Sequence, residues 1–265
     1  MIFCELDGGL GNVLFTMAAM LSFAKDNNAE VSFSNFSRTI DRLNNEPWRP
    51  KDKHCKEYSY ILNGIITDKI EGFNGIKNHI GWNVYDFKFQ DNSLDGGYFH
   101  DEMYFKHNRD YILTKIKPNS FVSNFINNKY ESLVKAENTV SVHVRRGSYL
   151  SAQHVLIVQN KEYYLNALSH FDENIVKVVF SDDLPWCKEV FSPLKNVVFV
   201  ENEKDYIELI LMSKMKNHII SNSTFSWWGA WLNQNPNKKV IAPKNWFNPN
   251  YLKENNVVPK NWIQL

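Results

Sequence analysis

The stretch Thr139-Val-Ser-Val-His-Val-Arg-Arg-Gly-Ser-Tyr149 decides the fold of the second half of this chain. Its valines alternate with polar residues, and this period of two is typical of a pleated strand. Two arginines and Gly147 follow at once, so the strand carries positive charge to its carboxyl end. Ligands bind at that edge of open α/β sheets, and a planar guanidinium can donate to two phosphate oxygens. Arg145 and Arg146 are therefore candidate phosphate ligands, although an arginine pair alone is equally consistent with an ordinary surface.

After this strand, strand-like runs alternate with helical segments. The expected strands are 140–144, 175–180, 196–200, 218–221 and 239–242. Helices are expected at 161–170, from Pro185, over 205–216 with Asp205 as cap, and from Ser223. Strands that alternate with helices predict a parallel, doubly wound α/β sheet. The tryptophans of the last helix are expected in the core.

Polar residues follow two further strands of this sheet. Asp182 and Asp183 follow the second strand. Asn222, Ser223 and Thr224 follow the fourth, at a helix N-terminus, where anions bind. Carboxylates near such a site accept hydrogen bonds from ribose hydroxyls or a base N–H. Taken separately, the hydroxyls of Ser223 and Thr224 are explained by helix capping, and the two aspartates by a turn. Because all of these polar residues lie on one edge of one sheet, together they favour a nucleotide site.

The first half opens with a strand, a glycine loop and a helix. The apolar run 1–6 is followed by Asp7-Gly-Gly-Leu-Gly-Asn12, and an apolar helix is expected over 12–25. This order can bind anions, because glycines permit close approach and the helix N-terminus offers unpaired N–H groups. Gly-Gly-Leu-Gly is only part of a dinucleotide-binding motif, so a tight turn explains it equally well.

The pattern is less regular from there to residue 138. Strand-like runs lie at 31–34, 58–62 and 84–89, and a strand leads into a helix over 96–105. Asp101 and Glu102 would begin that helix, where carboxylates favour the helix dipole. A further helix is expected over 122–135.

The composition excludes several classes of protein. The 265 residues carry a formal charge of +1, which predicts no nucleic-acid partner. No apolar run reaches the length of a membrane span, and Glu5 and Asp7 argue against a secretory signal. Cys4, Cys55 and Cys187 form no metal-ligand pair and cannot all pair as disulfides, which favours a reducing compartment. We expect a cytoplasmic protein with at most peripheral contact at the inner face of the membrane.

Six segments resemble the bacterial α-1,2-fucosyltransferase family (glycosyltransferase family 11), in that family's order. They are Gly8-Gly-Leu-Gly-Asn12, Gly97-Tyr-Phe99, His143-Val-Arg-Arg-Gly147, Ser181-Asp-Asp183, Asn222-Ser-Thr-Phe-Ser-Trp-Trp-Gly-Ala-Trp-Leu232 and Val240-Ile-Ala-Pro-Lys244. The resemblance implies a GT-B-like fold, in which two Rossmann-like domains with parallel sheets face each other across a cleft. We accordingly expect an acceptor-side domain over 1–136, a GDP-sugar-binding domain over 137–245 and a C-terminal extension over 246–265 that packs back on them.

The resemblance also implies an activity: inverting transfer of L-fucose from GDP-fucose to the 2-hydroxyl of a galactose, with no cofactor and no metal. The acceptor would be a galactose-terminated glycan or a lipid-linked oligosaccharide of surface-polysaccharide assembly. By analogy, Arg145 would hold the β-phosphate, His143 would support it and Asn12 would approach the pyrophosphate, which makes these three the catalytic residues. The implied nucleotide-sugar ligands are Gly9, Gly11, Arg145, Arg146, Asp182, Asp183, Asn222, Ser223, Thr224 and Phe225.

The chain departs from the family at two places. Ser148 stands where the family usually has aspartate, and serine cannot act as a general base near neutral pH. Gly11-Asn-Val-Leu-Phe-Thr16 stands where relatives commonly have Gly-Asn-Gln-Leu-Phe-Gln. The base therefore stays open among Asp101, Glu102 and His143. A catalytically weakened GDP-sugar-binding protein is the alternative function. A glycosidase or lectin ranks last, because a hydrolase needs two carboxylates flanking the bond.

Overall fold

A computed structural model of the protein describes residues 2–6, 8–34, 55–62, 65–67, 77–79, 94–96, 99–252 and 256–265. The chain divides into two compact units, 1–123 and 124–265. This division lies within the helix Ser120–Lys129, whereas the division predicted at residue 136 follows the next helix, Glu131–Lys135. The residues of the predicted C-terminal extension belong to the second unit. The strand-like run at 84–89 lies outside the described residues.

The first unit contains an all-parallel sheet with strand order β3-β2-β1-β5-β4. Its strands are β1 (Ile2–Glu5), β2 (Val31–Ser34), β3 (Ile66–Thr67), β4 (Lys77–His79) and β5 (Leu94–Gly96). Helix α1 (Leu10–Asp26) follows β1 and is buried almost all round, because apolar residues occupy every face of it. It begins two residues earlier than the sequence predicts, so Gly11 lies inside its first turn.

Two predictions for the residues before Thr139 were wrong: the strand over 58–62 and the unbroken helix over 122–135. The run 58–62 is not a strand, because Cys55–Tyr60 form a 3-10 helix. Tyr58 and Ile61 are both buried, and their spacing of three places them on one face of a 3-10 turn.

The helix expected over 122–135 is broken into α3 (Ser120–Lys129) and α4 (Glu131–Lys135). The break lies at Tyr130, whose hydroxyl donates to the Glu203 carboxylate at 2.6 Å. Helix α2 (Arg109–Lys115) precedes them, and shorter 3-10 turns lie at Glu102–Tyr104 and Lys106–Asn108.

The second unit contains a six-stranded, all-parallel sheet with order β11-β10-β9-β6-β7-β8. Its strands are β6 (Thr139–Val144), β7 (Val176–Ser181), β8 (Val197–Phe199), β9 (Asn217–Ile219), β10 (Val240–Ala242) and β11 (Ile263–Gln264). The helices that follow β6 are α5 (Lys161–Leu168), α6 (Leu184–Phe191), α7 (Asp205–Lys214) and α8 (Thr224–Leu232), and a 3-10 turn spans Gly147–Ser151. The five strands predicted for this half are present, and β11, which was not predicted, extends the sheet beside β10.

Local signals explain how two of these helices begin. Asp183 caps α6 by accepting the Trp186 amide, and Pro185 lies in the first turn, as predicted. Helix α7 was predicted to be capped by Asp205, but its N-cap is Lys204. Asp205 is the first helical residue, and its carboxylate accepts the Tyr206 amide at 2.8 Å.

The tryptophans of α8 lie in the core, as predicted. Trp227, Trp228 and Trp231 are buried against one another, with ring centroids 5.1 to 6.0 Å apart. The Trp227 indole donates to the Val257 carbonyl at 2.7 Å, which ties residues near the C-terminus to this helix. None of the helices in the described part of the chain combines the length and apolar character needed to cross a membrane.

Candidate active site

The strand order of the second sheet reverses between β6 and β9. Strands β6, β7 and β8 run outward in one direction, and β9, β10 and β11 run outward in the other. In open parallel sheets of this order, nucleotides bind at the carboxyl ends of the strands beside the reversal. The segments that leave β6 and β9 at that point are 145–149 and 220–223. They contain several of the residues that the sequence analysis assigned to a nucleotide.

Gly147 allows the loop after β6 to pass close to the loop after β7. A Cβ atom at Gly147 would lie 2.3 Å from Asp182 Oδ2, so a larger residue would push the carboxylate away. Asp182 accepts the backbone N–H of Arg146 at 2.9 Å and also forms an ion pair with the Arg145 guanidinium. The glycine of the His-Val-Arg-Arg-Gly motif therefore lets one aspartate organise the whole arginine loop.

Arg145 is the more exposed arginine of the pair. Its Nη1 lies 2.9 Å from Asp182 Oδ2, and its Nη2 donates to Ser148 Oγ at 3.1 Å. Its side chain is still 34% exposed, and its guanidinium lies 5.4 Å from the centre of the Tyr149 ring. These contacts orient the guanidinium and leave part of it open to a ligand.

Arg146 contacts protein groups instead. Its Nε donates to Asp183 Oδ2 at 3.0 Å, and its guanidinium lies 4.4 Å from the Trp186 ring centre. Its side chain is 18% exposed. The predicted role of Arg146 in nucleotide binding stays a prediction, while its visible role is to join the ends of β6 and β7.

His143 is buried at the end of β6. Its Nδ1 lies 2.9 Å from Ser221 Oγ, and its ring lies 5.6 Å from the Phe225 ring. Burial, together with the charge of Arg145, lowers the pKa of His143 from 6.5 to about 3, so the imidazole is neutral at physiological pH.

Tyr149 joins the arginine loop to the N-terminus of α8. Its hydroxyl donates to the Asn222 carbonyl at 3.0 Å and also has a hydrogen bond with the Ser223 side chain. Its ring lies beside Arg145, so one side chain connects the cation to the helix terminus. Sequence analysis assigned no role to Tyr149, although it lies only two residues after the glycine of the His-Val-Arg-Arg-Gly motif.

The residues before α8 are held by the protein. The Asn222 amide donates to the Trp246 carbonyl at 2.8 Å and accepts from Gln159. Ser223 is the N-cap of α8, but its side chain makes no capping hydrogen bond, so capping does not account for its hydroxyl. Thr224 begins the helix, where backbone N–H groups can bind an anion.

Glu208 is a second group that the sequence analysis missed. Burial and the charges of Asp205, Glu203 and Asp182 raise the pKa of Glu208 from 4.5 to about 8. Its carboxyl is therefore mostly protonated at neutral pH. The available signal was its position in the first turn of α7, after a strand of the same sheet.

In the first unit, Gly8 shapes the loop that contains the predicted ligands. Gly8 has φ of +92°, and a Cβ there would lie 2.9 Å from the Asn12 amide nitrogen. Gly9 is the exposed N-cap of α1, while Gly11 is buried within its first turn. The glycine loop therefore turns tightly against the side chain of Asn12.

The two carboxylates predicted as possible bases also lie in the first unit. Asp101 is buried and accepts the Met103 amide at 2.9 Å as the cap of a 3-10 helix. Glu102 begins that helix, with a side chain 22% exposed and 3.9 Å from the Lys106 ammonium. Helix stabilisation accounts for the position of Asp101, and a role as general base stays a prediction for both residues.

The fold and the loops at the reversal of strand order are those of a nucleotide-binding α/β protein, and comparison with known proteins identifies the family. Residues 69–265 match Glycosyl transferase family 11, and the chain belongs to that family. It is a glycosyltransferase, as the resemblance in its sequence predicted.

Relatives match over nearly the whole chain. An Escherichia coli protein named alpha-1,2-colitosyltransferase is 29% identical, covering 100% of this chain and 98% of its own length. The Escherichia coli O-antigen biosynthesis glycosyltransferase WbnK is also 29% identical, covering 98% of this chain and 99% of its own length.

Solved structures share the fold at low identity. The fucosyltransferase NodZ from Bradyrhizobium has a TM-score of 0.53 at 14% identity, covering 86% of this chain and 92% of its own. POFUT1 in complex with GDP-fucose has a TM-score of 0.54 at 13% identity, covering 91% and 97%. Together with the two parallel sheets, these likenesses show the GT-B-like α/β fold that the sequence predicted.

Proposed function

We propose that this protein transfers L-fucose from GDP-fucose to the 2-hydroxyl of a galactose in a glycan acceptor, with inversion at the transferred carbon. The observation that supports a diphosphate donor is the link made by Tyr149 at the reversal of the second sheet. It connects the partly exposed guanidinium of Arg145 to the N-terminus of α8. Cations and helix N–H groups together form a site for a diphosphate.

The same groups suit the chemistry of transfer. The acceptor oxygen forms a bond to C1 of the sugar while the bond from C1 to the β-phosphate oxygen breaks. GDP leaves with that electron pair, so negative charge grows on the diphosphate. Donors already oriented toward that charge stabilise the transition state more than the ground state. Arg145, held by Asp182 and Ser148, is the residue we assign to that role.

The acceptor hydroxyl must lose its proton during transfer. Of the two carboxylates that the sequence analysis offered as bases, Asp101 already caps a 3-10 helix, while Glu102 has a partly exposed side chain. We therefore propose Glu102 ahead of Asp101 as the acceptor of that proton. Its substitution by glutamine should reduce turnover and leave GDP affinity unchanged.

The mechanism assigns charge stabilisation to Arg145 and to the amides of α8, so we expect no requirement for a divalent ion. We propose a galactose-terminated acceptor from surface-polysaccharide synthesis. This choice is supported by the name of the relative WbnK, which refers to O-antigen biosynthesis.

Transfer of colitose is a second candidate activity. It is favoured by one observation, the match over the whole chain to a protein named alpha-1,2-colitosyltransferase. Colitose is fucose without its 3-hydroxyl group, so the two donors present the same diphosphate and the same reacting carbon. Residues that hold the diphosphate cannot discriminate between them.

The experiment is to measure GDP release from GDP-fucose and GDP-colitose with a panel of galactose-terminated acceptors, with and without EDTA. Acceptor-dependent release from GDP-fucose that survives EDTA is the expected result. A clear preference for GDP-colitose would transfer the assignment to the second sugar, and loss with EDTA would overturn the metal-free mechanism. GDP binding without release from either donor would instead support a weakened sugar-nucleotide-binding protein.

A further inference from the structure

His143 and Ser221 form a buried pair at the reversal of the second sheet. Ser221 is fully buried, His143 is 6% exposed, and Nδ1 lies 2.9 Å from Oγ. Within the described part of the chain, Nδ1 is the ring nitrogen of His143 that has a hydrogen-bond partner. Nε2 is therefore the nitrogen left for a ligand.

The serine hydroxyl decides which nitrogen carries the proton. Among the described residues, His143 Nδ1 is the hydrogen-bond partner of the Ser221 hydroxyl. If Nδ1 carried the proton and donated to Oγ, the buried hydroxyl hydrogen would have no acceptor there. The cost of an unpaired buried donor corresponds to a preference of about tenfold or more for the other arrangement. Ser221 therefore donates to Nδ1, and the ring proton lies on Nε2.

A neighbouring serine–histidine pair shows the opposite arrangement. His218 Nδ1 lies 2.8 Å from Ser141 Oγ, but its Nε2 accepts from the Asn233 side-chain N–H at 2.7 Å. The Asn233 amide is oriented by the Asn235 backbone N–H, which donates to its oxygen. His218 must therefore carry its proton on Nδ1 and donate to Ser141. The two pairs have the same residue types and opposite tautomers, because His218 has a partner at Nε2 and His143 has none there among the residues that the structure describes.

We infer that Ser221 is a positioning residue that holds His143 as the neutral Nε2–H tautomer, so that His143 presents a hydrogen-bond donor to the bound sugar nucleotide. This inference rests on the proposed function. It excludes His143 as the general base, because the nitrogen left for a ligand already carries a proton. The pKa of His143, lowered by burial and by Arg145, keeps the ring neutral and is consistent with this role.

A neutral donor suits this place in the site. Diphosphate and ribose oxygens accept hydrogen bonds, so an N–H group can bind them in either the ground state or the transition state. An imidazolium at the same place would add a buried cation close to the charge of Arg145, which is unfavourable without a further partner. By fixing the tautomer, Ser221 thus makes the Nε2–H of His143 a hydrogen-bond donor without adding a positive charge to the site.

The test is ¹⁵N NMR of the ligand-free protein with ¹⁵N-labelled histidine. The signals of His143 are assigned as those that are missing from the spectrum of His143→Gln. Nitrogen shifts distinguish a protonated ring nitrogen from an unprotonated one. We expect Nε2–H for His143 and Nδ1–H for His218. Ser221→Ala should give a mixture of tautomers at His143 alone, and Ser141→Ala should perturb His218 alone. A proton on Nδ1 of wild-type His143 would overturn the inference.

Transfer assays then test the positioning role. Ser221→Ala should lower turnover by about fivefold to tenfold, Ser221→Thr should restore it because the hydroxyl returns, and Ser141→Ala should leave it unchanged. Unchanged turnover in folded Ser221→Ala would overturn the role of Ser221. The NMR test needs no substrate, so it stays valid even if the protein proves not to transfer fucose. Conversely, finding His143 protonated on Nδ1 would overturn the inference about Ser221 but not the proposal of fucosyl transfer.

Discussion

Two polar networks in the second unit use similar residues for different purposes. The interior network comprises Ser141, His218, Asn233 and Lys238, and the edge network comprises His143, Arg145, Arg146, Asp182 and Asp183. In the interior, both ring nitrogens of His218 and the Asn233 amide meet protein partners. At the edge, Arg145 remains 34% exposed and His143 has one ring nitrogen without a partner among the described residues. Groups whose hydrogen bonds are completed by the protein stabilise the fold, and groups with remaining capacity can bind a ligand.

The largest expected effect is on the edge network. Arg145→Ala should reduce turnover by about a thousandfold, because the developing charge on GDP loses its principal donor. The melting temperature should change little, since the lost side chain is partly exposed. Steady-state GDP release and thermal unfolding measure the two quantities, with Arg145→Lys as the matched variant that retains charge. Turnover within tenfold of wild type would remove Arg145 from its assigned role.

The interior network should respond in the opposite way. His218→Ala should lower the free energy of unfolding by about 3 kcal/mol, because the buried Ser141 hydroxyl and Asn233 amide each lose the hydrogen bond that they make with the imidazole. Turnover of the folded fraction should be unchanged. Urea denaturation and assays at low temperature check this, with His143→Ala as the comparison that should lose turnover more than stability. The distinction between networks fails if the two variants behave alike.

Acid should destabilise the protein through its buried histidines. Burial lowers the pKa of His100, His143 and His218 from 6.5 to about 3 in the folded chain. The unfolded chain therefore binds these protons first, and stability present above pH 6.5 is lost as the pH falls from 6.5 toward 3. Each histidine should contribute about 1 kcal/mol per pH unit over that range. Urea denaturation at pH 7, 6 and 5 measures the slope, which should be shallower in His218→Leu; an equal slope would contradict the assignment.

Glu208 should produce a weaker dependence of the opposite sign. Its pKa is raised from 4.5 to about 8 in the folded chain. The folded state therefore holds a proton that the unfolded state releases, and the contribution to stability is lost as the pH rises from 4.5 through 8. Glu208→Gln should remove this decline while keeping the neutral amide in place. Unfolding free energies at pH 6 and pH 9 test it, and an undiminished decline in the variant would rule Glu208 out.

Position 148 should show the smallest effect. Arg145 already pairs with Asp182, so Ser148→Asp adds a second carboxylate that competes with the diphosphate. GDP affinity should fall by about threefold, within the range of partly exposed ion pairs. Ser148→Asn is the matched neutral variant and should bind GDP as the wild type does. A rise in turnover above tenfold with aspartate, but not with asparagine, would instead show that a carboxylate here acts as the base.

Sequence reasoning reached the parts of the molecule that local patterns determine. Alternating apolar residues predicted five parallel strands of the second sheet, and Pro185 predicted the start of α6. Patterns failed where they were short or contradicted by distant contacts. Strand β11 has two residues and is recognisable only by its pairing with β10. The break at Tyr130 coincides with its hydrogen bond to Glu203, 73 residues away.

The amino-acid sequence by itself determined the fold class, the family and the arginine motif, because these depend on periodicity and on residues adjacent in the chain. The tertiary structure alone decided how the motif is used. It turned Arg146 toward Asp183 and Trp186 and left Arg145 partly open. It also placed Ser221 against His143 across 78 residues of chain. The physical reason is that a proton's position and a cation's exposure depend on neighbours in space, which strand order brings together and local sequence does not record.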